Sequence, residues 1–307
     1  MPVTHLIGFS LTVADLAGTA AFYRDSLGLE TGPERSFHDP VWNSLLGLGP
    51  DISARAIDVL IGHQTVELLA FAPPGQPYPS ERASNDQWFQ HFALVSSDIE
   101  STWERLNSGG SECEITRGPP VLLPPNTGSV TAFKFRDPEG HPLELISFPP
   151  GVGAPVWQKA RGGGILGCDH TAISVIDLDR SLHFYTHLLG FRIAGRSLNH
   201  GPEQDRLDDL PGCEVDVVAL EPTTVTTPHV ELLHYRMPPG RVSSTVIQVN
   251  DVASVRQLHK VDDLSTLVER LIAEGTIFVS PGIVMLKDAT AAAAVRDPDG
   301  HMILLIE

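Results

Sequence analysis

Cysteine is scarce in this chain of 307 residues: Cys113, Cys168 and Cys213 are the whole complement. An odd number without Cys-x-x-Cys spacing supports neither a disulfide framework nor a thiolate metal site, and fits a reducing cytoplasm. Cationic residues are also few. Lys and Arg total 21 against 38 Asp and Glu, a formal charge of -17, where a nucleic-acid partner would call for a basic face. No apolar run approaches the roughly 20 residues that span a bilayer, so no membrane partner is expected. The chain does not open with a basic segment followed by an apolar one, and no secretory signal is expected. Gly-x-Ser-x-Gly is missing, and with it a serine nucleophile elbow. Gly162-Gly163-Gly164 runs into the strand-like Ile165 rather than opening a helix, which argues against a phosphate loop. What is present, 42% hydrophobic and 19% charged residues, suits a globular protein long enough for two domains.

The chain repeats itself. Asp15, Phe22-Tyr23 and Gly28 recur as Asp177, Phe184-Tyr185 and Gly190, each at an offset of 162. Within each half a further repeat appears. Asp98, Glu104 and Leu106 recur as Asp263, Glu269 and Leu271 at 165, and Arg136-Asp-Pro-Glu-Gly-His141 recurs as Arg296-Asp-Pro-Asp-Gly-His301 at 160. Four modules follow, at 3–72, 84–150, 166–237 and 250–307, and a repeat of this kind is one supersecondary unit. Each opens with an alternating, strand-like segment. An Asp then caps apolar residues at helical spacing, with Gly just past the end in modules one and three. The rest is strand-like, with Asp-Pro-x-Gly-His turns before the last strand of modules two and four. The expectation is an α+β fold of four βαβββ modules, with helices near 15–27, 98–108, 177–189 and 263–274. Residues 1–150 and 166–307 would be tandem halves joined by a Pro/Gly-rich linker at 151–165. Phe22-Tyr23 and Phe184-Tyr185 would be core.

The Asp-Leu…Phe-Tyr…Leu-Gly signatures at 15–28 and 177–190, with the Asp-Pro-x-Gly-His turn leading into Leu143-Glu144-Leu145, resemble the vicinal oxygen chelate superfamily. That superfamily includes glyoxalase I, the bleomycin and fosfomycin resistance proteins and the extradiol dioxygenases. The resemblance covers the whole chain and implies glyoxalase-like halves. It does not select a reaction, since one fold hosts many.

The resemblance implies metal ligands at two places in a module: the start of the opening strand, seven residues before the capping Asp, and a Glu in the last strand. Module one offers Gly8 and Glu67, module two His91 and Glu144, module three His170 and Glu231, and module four Arg256 and Leu304. Glyoxalase I-like proteins share a site between the first module of one half and the second module of the other. Modules two and three would then hold one divalent ion through His91, Glu144, His170 and Glu231, and modules one and four would form a degenerate cleft, since arginine stays protonated. Two imidazoles and two carboxylates suit Zn, Ni, Fe, Mn or Co. Glu144 or Glu231 could serve as a proton shuttle if its pKa were lifted toward working pH. A site inside the first half, from Glu67, His91 and Glu144, is a competing reading. So is retention of these residues for the fold alone. His200 and Glu203, read as a loop after the third helix, and Arg256 in the degenerate cleft are candidate substrate contacts. His141 and His301 are read as turn residues.

Three functions are then open. The first is a metal-dependent lyase or isomerase acting on a small vicinally oxygenated substrate. The second is a ring-cleaving dioxygenase using the same site. For an extradiol enzyme the matching C-terminal positions are His170, Arg256 and Leu304, and two of these cannot ligate. The third is a non-catalytic small-molecule binding or resistance protein. A monomer or a homodimer is expected, because four modules can close their shared sites internally.

Overall fold

The computed structural model of the chain describes residues 3–108, 114–159, 164–243 and 246–307. Four of its helices, Leu16–Asp25, Ile99–Ser108, Leu178–Leu182 and Leu264–Ala273, fall where the apolar spacing places them. The carboxylates of Asp15, Asp177 and Asp263 accept from backbone N–H groups three residues on, satisfying donors the first helical turn leaves open. The third helix departs from expectation: His183–Leu188 is wound as a π-helix, with Leu189 N–H reaching the Phe184 carbonyl.

Each module curls a mixed sheet around its helix. The opening strand runs parallel to the last one: Val3–Thr12 beside Gln64–Ala72, Gln90–Ser96 beside Pro142–Ser147, Ile165–Ser174 beside His229–Met237, and Val255–Val261 beside Met302–Ile306. Modules then join through their opening strands, and they do so across the halves. Val3–Thr12 pairs antiparallel with Val255–Val261, which fuses modules one and four into one sheet. Gln90–Ser96 pairs antiparallel with Ile165–Ser174, which fuses modules two and three into the other.

Strand alternation divides the burial. On the helix-covered faces, modules one and two share a core containing Phe9, Phe92, Leu68 and Phe133, and modules three and four share one containing Ile173, Leu232 and Leu267. Phe9 and Phe92 stack at 5.0 Å. Full burial of each such side chain is worth about 1.5–3 kcal/mol. Tyr23 and Tyr185 are core, as expected, but their hydroxyls are also used. Each donates to the Asp of an Asp-Pro-x-Gly-His turn in the next module, Tyr185 to Asp297 at 3.1 Å and Tyr23 to Asp137 at 3.5 Å. His141 and His301 are buried in those turns. Their rings bond the carbonyls of Val252 and Ser174 at 2.7 and 3.0 Å and so tie modules together.

The linker segment carries secondary structure of its own. Pro155–Lys159 is a short helix, and residues 160–163 lie outside the described residues. Cys168 and Cys213 are buried free thiols; Cys113 also lies outside the described residues. Among the described residues no helix is long and apolar enough to cross a membrane.

Residues 1–150 expressed alone would keep one helix-side core but leave Val3–Thr12 and Gln90–Ser96 without their antiparallel partners. Unpaired edges seek other chains. Light scattering after size exclusion should show dimers or larger species, and co-expression with residues 166–307 should give a one-to-one complex. A folded monomer of 1–150 would show that the cross-half pairing is dispensable.

Candidate metal centre

The register of the sheet from modules two and three sets four polar side chains on one face. Glu231, Ala172 and His91 form one rung across three strands. His229, His170, Ala93, Glu144 and Lys134 form the next. Paired residues point to the same side of a sheet, as do residues two apart on one strand. The rungs therefore present His91, Glu144, His170 and Glu231 together, and the alanines between them leave room. His170 sits within its strand rather than at its start.

The donor atoms converge. The Glu144 carboxylate accepts from His91 Nε2 at 3.2 Å, and His170 Nε2 lies 3.2 Å from the same oxygen. His170 Nε2 is 3.6 Å from Glu231 Oε2. Atoms bonded to one ion at about 2.1 Å stand roughly 3.0–3.4 Å apart in octahedral or tetrahedral arrangements. His91, Glu144 and His170 thus fit a divalent ion in spacing and in donor type, and Glu231 stands beside them, nearest to His170. His170 Nδ1 faces Asp169 at 3.2 Å, the outer carboxylate that fixes which nitrogen is free to ligate. Asp169 also accepts from the indole of Trp157 on the linker helix, at 2.6 Å.

Electrostatics follow from burial and contact. Burial would push the Glu144 carboxyl up, but His170 and His91 hold it well below the usual carboxylate range. Burial acts likewise on Glu231, and the charges of His170 and His229 bring it down to about 2. The expectation of a lifted carboxyl is not met, because three imidazoles outweigh desolvation. Burial pulls the His91 imidazole below its ordinary value, whereas Glu231, Asp169 and Glu144 raise that of His170 against burial.

A cavity of about 500 Å³ opens over this face. Besides the four residues it is lined by Lys134, Asp169, Asp208, His229 and Tyr235, none of which the sequence singled out. His229 could have been found, since it lies two residues before Glu231 on one strand. Lys134 donates to Asp208 at 2.5 Å, and Asp208 also accepts from Tyr235 at 3.1 Å and Gln204 at 2.7 Å. No local signal joins Lys134 to Asp208. The candidate substrate residues fare differently. His200 ends the strand Arg192–His200 and is exposed, and Glu203 begins the helix Pro202–Asp208; neither lines the cavity. The segment is a strand rather than a loop, so alternation turns Ser197 and Asn199 inward and His200 outward.

Comparison with known proteins agrees with this architecture. The family model for the Glyoxalase/Bleomycin resistance protein/Dioxygenase superfamily matches residues 4–145 and 167–305. The chain belongs to that superfamily. It is 25% identical over 303 residues to a lactoylglutathione lyase of Oryza sativa subsp. japonica, covering 96% of this chain and 86% of that one. It is 28% identical over 182 residues to one of Arabidopsis thaliana, of which it spans about half, 53%. In structure it is similar to glyoxalase I from Zea mays, with a TM-score of 0.64 at 20% identity, covering 99% and 92% of the two chains. It is also similar to a putative dioxygenase from Bacillus subtilis, with a TM-score of 0.62 at 14% identity and coverage of 99% and 85%. These two likenesses are of fold.

The sister face, from modules one and four, has the same rungs with other residues: Glu67, Ser10 and Arg256, then Gly8, Leu258, Leu304 and Ala294. Glu67 belongs to this sheet, bonded by Ser10 and paired with Arg35, apart from His91 and Glu144. Apolar side chains fill the face, among them Leu46, Phe71, Met302 and Leu304, with Trp42 stacked on Phe71 at 5.9 Å. Arg256 is 0% exposed, which corrects its reading as a substrate contact. Its guanidinium donates to Ser10, Thr12, Ser254 and the Val249 carbonyl, at 2.9–3.2 Å. Burial lowers its pKa to about 10, with the charge of Glu67 opposing. Arg256→Ala strands those acceptors, so chemical denaturation should show a loss of about 3 kcal/mol, with the metal content of the folded fraction unchanged. A variant as stable as the parent would show the guanidinium to be structurally idle.

Proposed function

We propose that the chain is a metal-dependent enzyme of the glyoxalase I type, a lyase or isomerase acting on a small substrate with neighbouring oxygens. His91, Glu144, His170 and Glu231 would hold a single ion, one of Zn, Ni, Fe, Mn or Co. The convergence of these donors from four adjacent strands carries the reading. The lactoylglutathione lyase names of the relatives support a lyase. Bound there, the ion supplies Lewis acidity to substrate oxygens.

The chain's own groups do the rest. Glu231 is the more open carboxylate, 21% exposed against 7% for Glu144. Its Oε1 contacts His229 at 3.5 Å. The charges of His170 and His229 keep its pKa low and make it a weak base as it stands, so Glu231 would take and return the substrate proton only once substrate displaces those contacts. Glu144, clamped between two imidazoles, keeps its place and its charge. Val215, Leu233 and Tyr235 form an apolar floor that excludes water. The two halves, 1–150 and 166–307, would act as one unit about this face. Unpaired thiols favour the cytoplasm, and the internally completed site allows a monomer as well as a homodimer.

One observation favours a second reading. Among the described residues two groups of donors lie within 4.8 Å of one another, His91, His170 and Glu144, and Asp169, His170 and His229, and each is a two-His-one-carboxylate set of the kind iron oxygenases use. Oxygen uptake with catechols under ferrous iron, without isomerase turnover, would select that reading.

Plasma mass spectrometry of purified protein should find about one transition metal per chain. His170→Ala should bring this below about a tenth, and Glu67→Ala should leave it intact; the reverse pattern would place the site elsewhere. The raised His170 pKa means that a proton must leave before Nε2 can ligate. Metal affinity should therefore fall as pH falls, by about tenfold per pH unit for each proton displaced. Affinity flat between pH 6 and 8 would remove His170 from the ligand set.

A further inference from the structure

The charge inventory of the cavity says what kind of molecule it takes. Among the described residues, its wall carries five carboxylates, of Glu144, Asp169, Asp208, Glu221 and Glu231, against one ammonium, of Lys134. Among the described residues no arginine lines it. Lys134 is already bound to Asp208 at 2.5 Å, and its 4% exposure leaves little for a ligand. At the rim Glu221 is paired with Arg192 at 3.2 Å, which commits that cation as well. A divalent ion at His91, Glu144, His170 and Glu231 would be taken up by its own carboxylates. Apart from the imidazoles of His91, His170 and His229 beside the donor cluster, nothing on the described wall is left to receive a carboxylate or phosphate carried on a remote arm of a substrate. Two like charges about 6 Å apart near a protein surface cost roughly a hundredfold in affinity.

A second observation points to what the wall does want. Gln204 lines the cavity and is 4% exposed. Its Nε2 donates to the Asp208 carboxylate at 2.7 Å, which fixes the orientation of the amide. Its Oε1 has no protein partner. A buried acceptor without a donor is costly, and a ligand hydroxyl would supply one. The duplication sharpens the point. At the offset of 162, Gln204 and Asp208 correspond to Trp42 and Leu46, and across the sheet Lys134 corresponds to Ala294. The filled face is apolar at all three positions, whereas the open face keeps Gln204, Asp208 and Lys134 around its cavity.

We infer that the substrate is an uncharged, hydroxyl-bearing molecule, one of whose hydroxyls donates to Gln204 Oε1, and that an anionic glutathione adduct is discriminated against. The inference rests on the isomerase reading for its chemistry, but not for its binding test.

Hemithioacetals of methylglyoxal with three thiols separate the possibilities: glutathione, which brings two carboxylates and one ammonium and is a net anion, 1-thioglycerol, which brings hydroxyls, and ethanethiol, which brings neither. With metal-loaded protein, kcat/KM should be at least tenfold higher for the thioglycerol adduct than for the glutathione adduct. The thioglycerol value should also be unchanged between 0.05 and 0.5 M salt. Gln204→Met should raise KM for the thioglycerol adduct about tenfold while leaving the ethanethiol adduct unaffected, a difference that a merely loosened wall would not produce. Calorimetry with S-methylglutathione and 3-methylthio-1,2-propanediol reads binding without turnover. Tighter binding of the diol supports the inference, and if no adduct is turned over in that case, the isomerase reading alone falls. Preference for the glutathione compound in either measurement, or binding of neither at millimolar concentration, overturns the inference.

Discussion

The antiparallel pairing of Gln90–Ser96 with Ile165–Ser174 is the constraint on which the rest depends. It sets Ala172 opposite His91 and Ala93 opposite His170, so the two imidazoles stand diagonally across a pair of small residues. The last strand of each module lies parallel on the outside and adds Glu144 on one flank and Glu231 on the other. A slip of one residue would turn each of these side chains onto the helix-covered face. Packing resists such a slip. The residues between, such as Phe92 and Ile173, are buried in two different cores and could not be exposed without losing several kcal/mol.

The same scaffold built twice shows what separates an open face from a filled one. Both sheets have the same rungs. In one, two alanines space four ligand-type side chains beneath a cavity. In the other, Leu258 and Leu304 occupy corresponding places, and the segment Pro40–Leu45 brings Trp42 down onto Phe71. Arg256 is accommodated there because hydroxyls and a carbonyl take its protons, not because a ligand does. Loss of the ligands and filling of the space act together: a buried cluster of carboxylates and imidazoles needs a compensating ion or hydrogen bonds, while leucines need contact.

On the open face, polar groups are coupled over long sequence distances. Asp208 draws Lys134, Tyr235 and Gln204 into one network, and Asp169 links His170 to Trp157 of the linker helix. Such networks stiffen a wall when every member is satisfied, and they reveal a ligand's chemistry where one atom is not. The free acceptor of Gln204 and the absence of an uncommitted lysine or arginine on the described wall are features of this kind.

The sequence by itself determined the four modules, their capping aspartates and the residues at each ligand position, because local propensity and a duplicated pattern are both short-range signals. It also distinguished modules two and three from modules one and four, since a glycine, an arginine and a leucine stand where the others have histidine and glutamate. Only the tertiary structure decided that opening strands pair across the halves, that the sister face is filled, and that Arg256 is a buried structural cation. It alone brought Lys134 to Asp208, placed His229 on the rung of His170, and turned His200 outward. The physical reason is the same in each case. Which side of a strand a residue faces, and what meets it there, depends on register with strands far away in the chain, and that register is set by packing of the whole core rather than by any neighbouring residue.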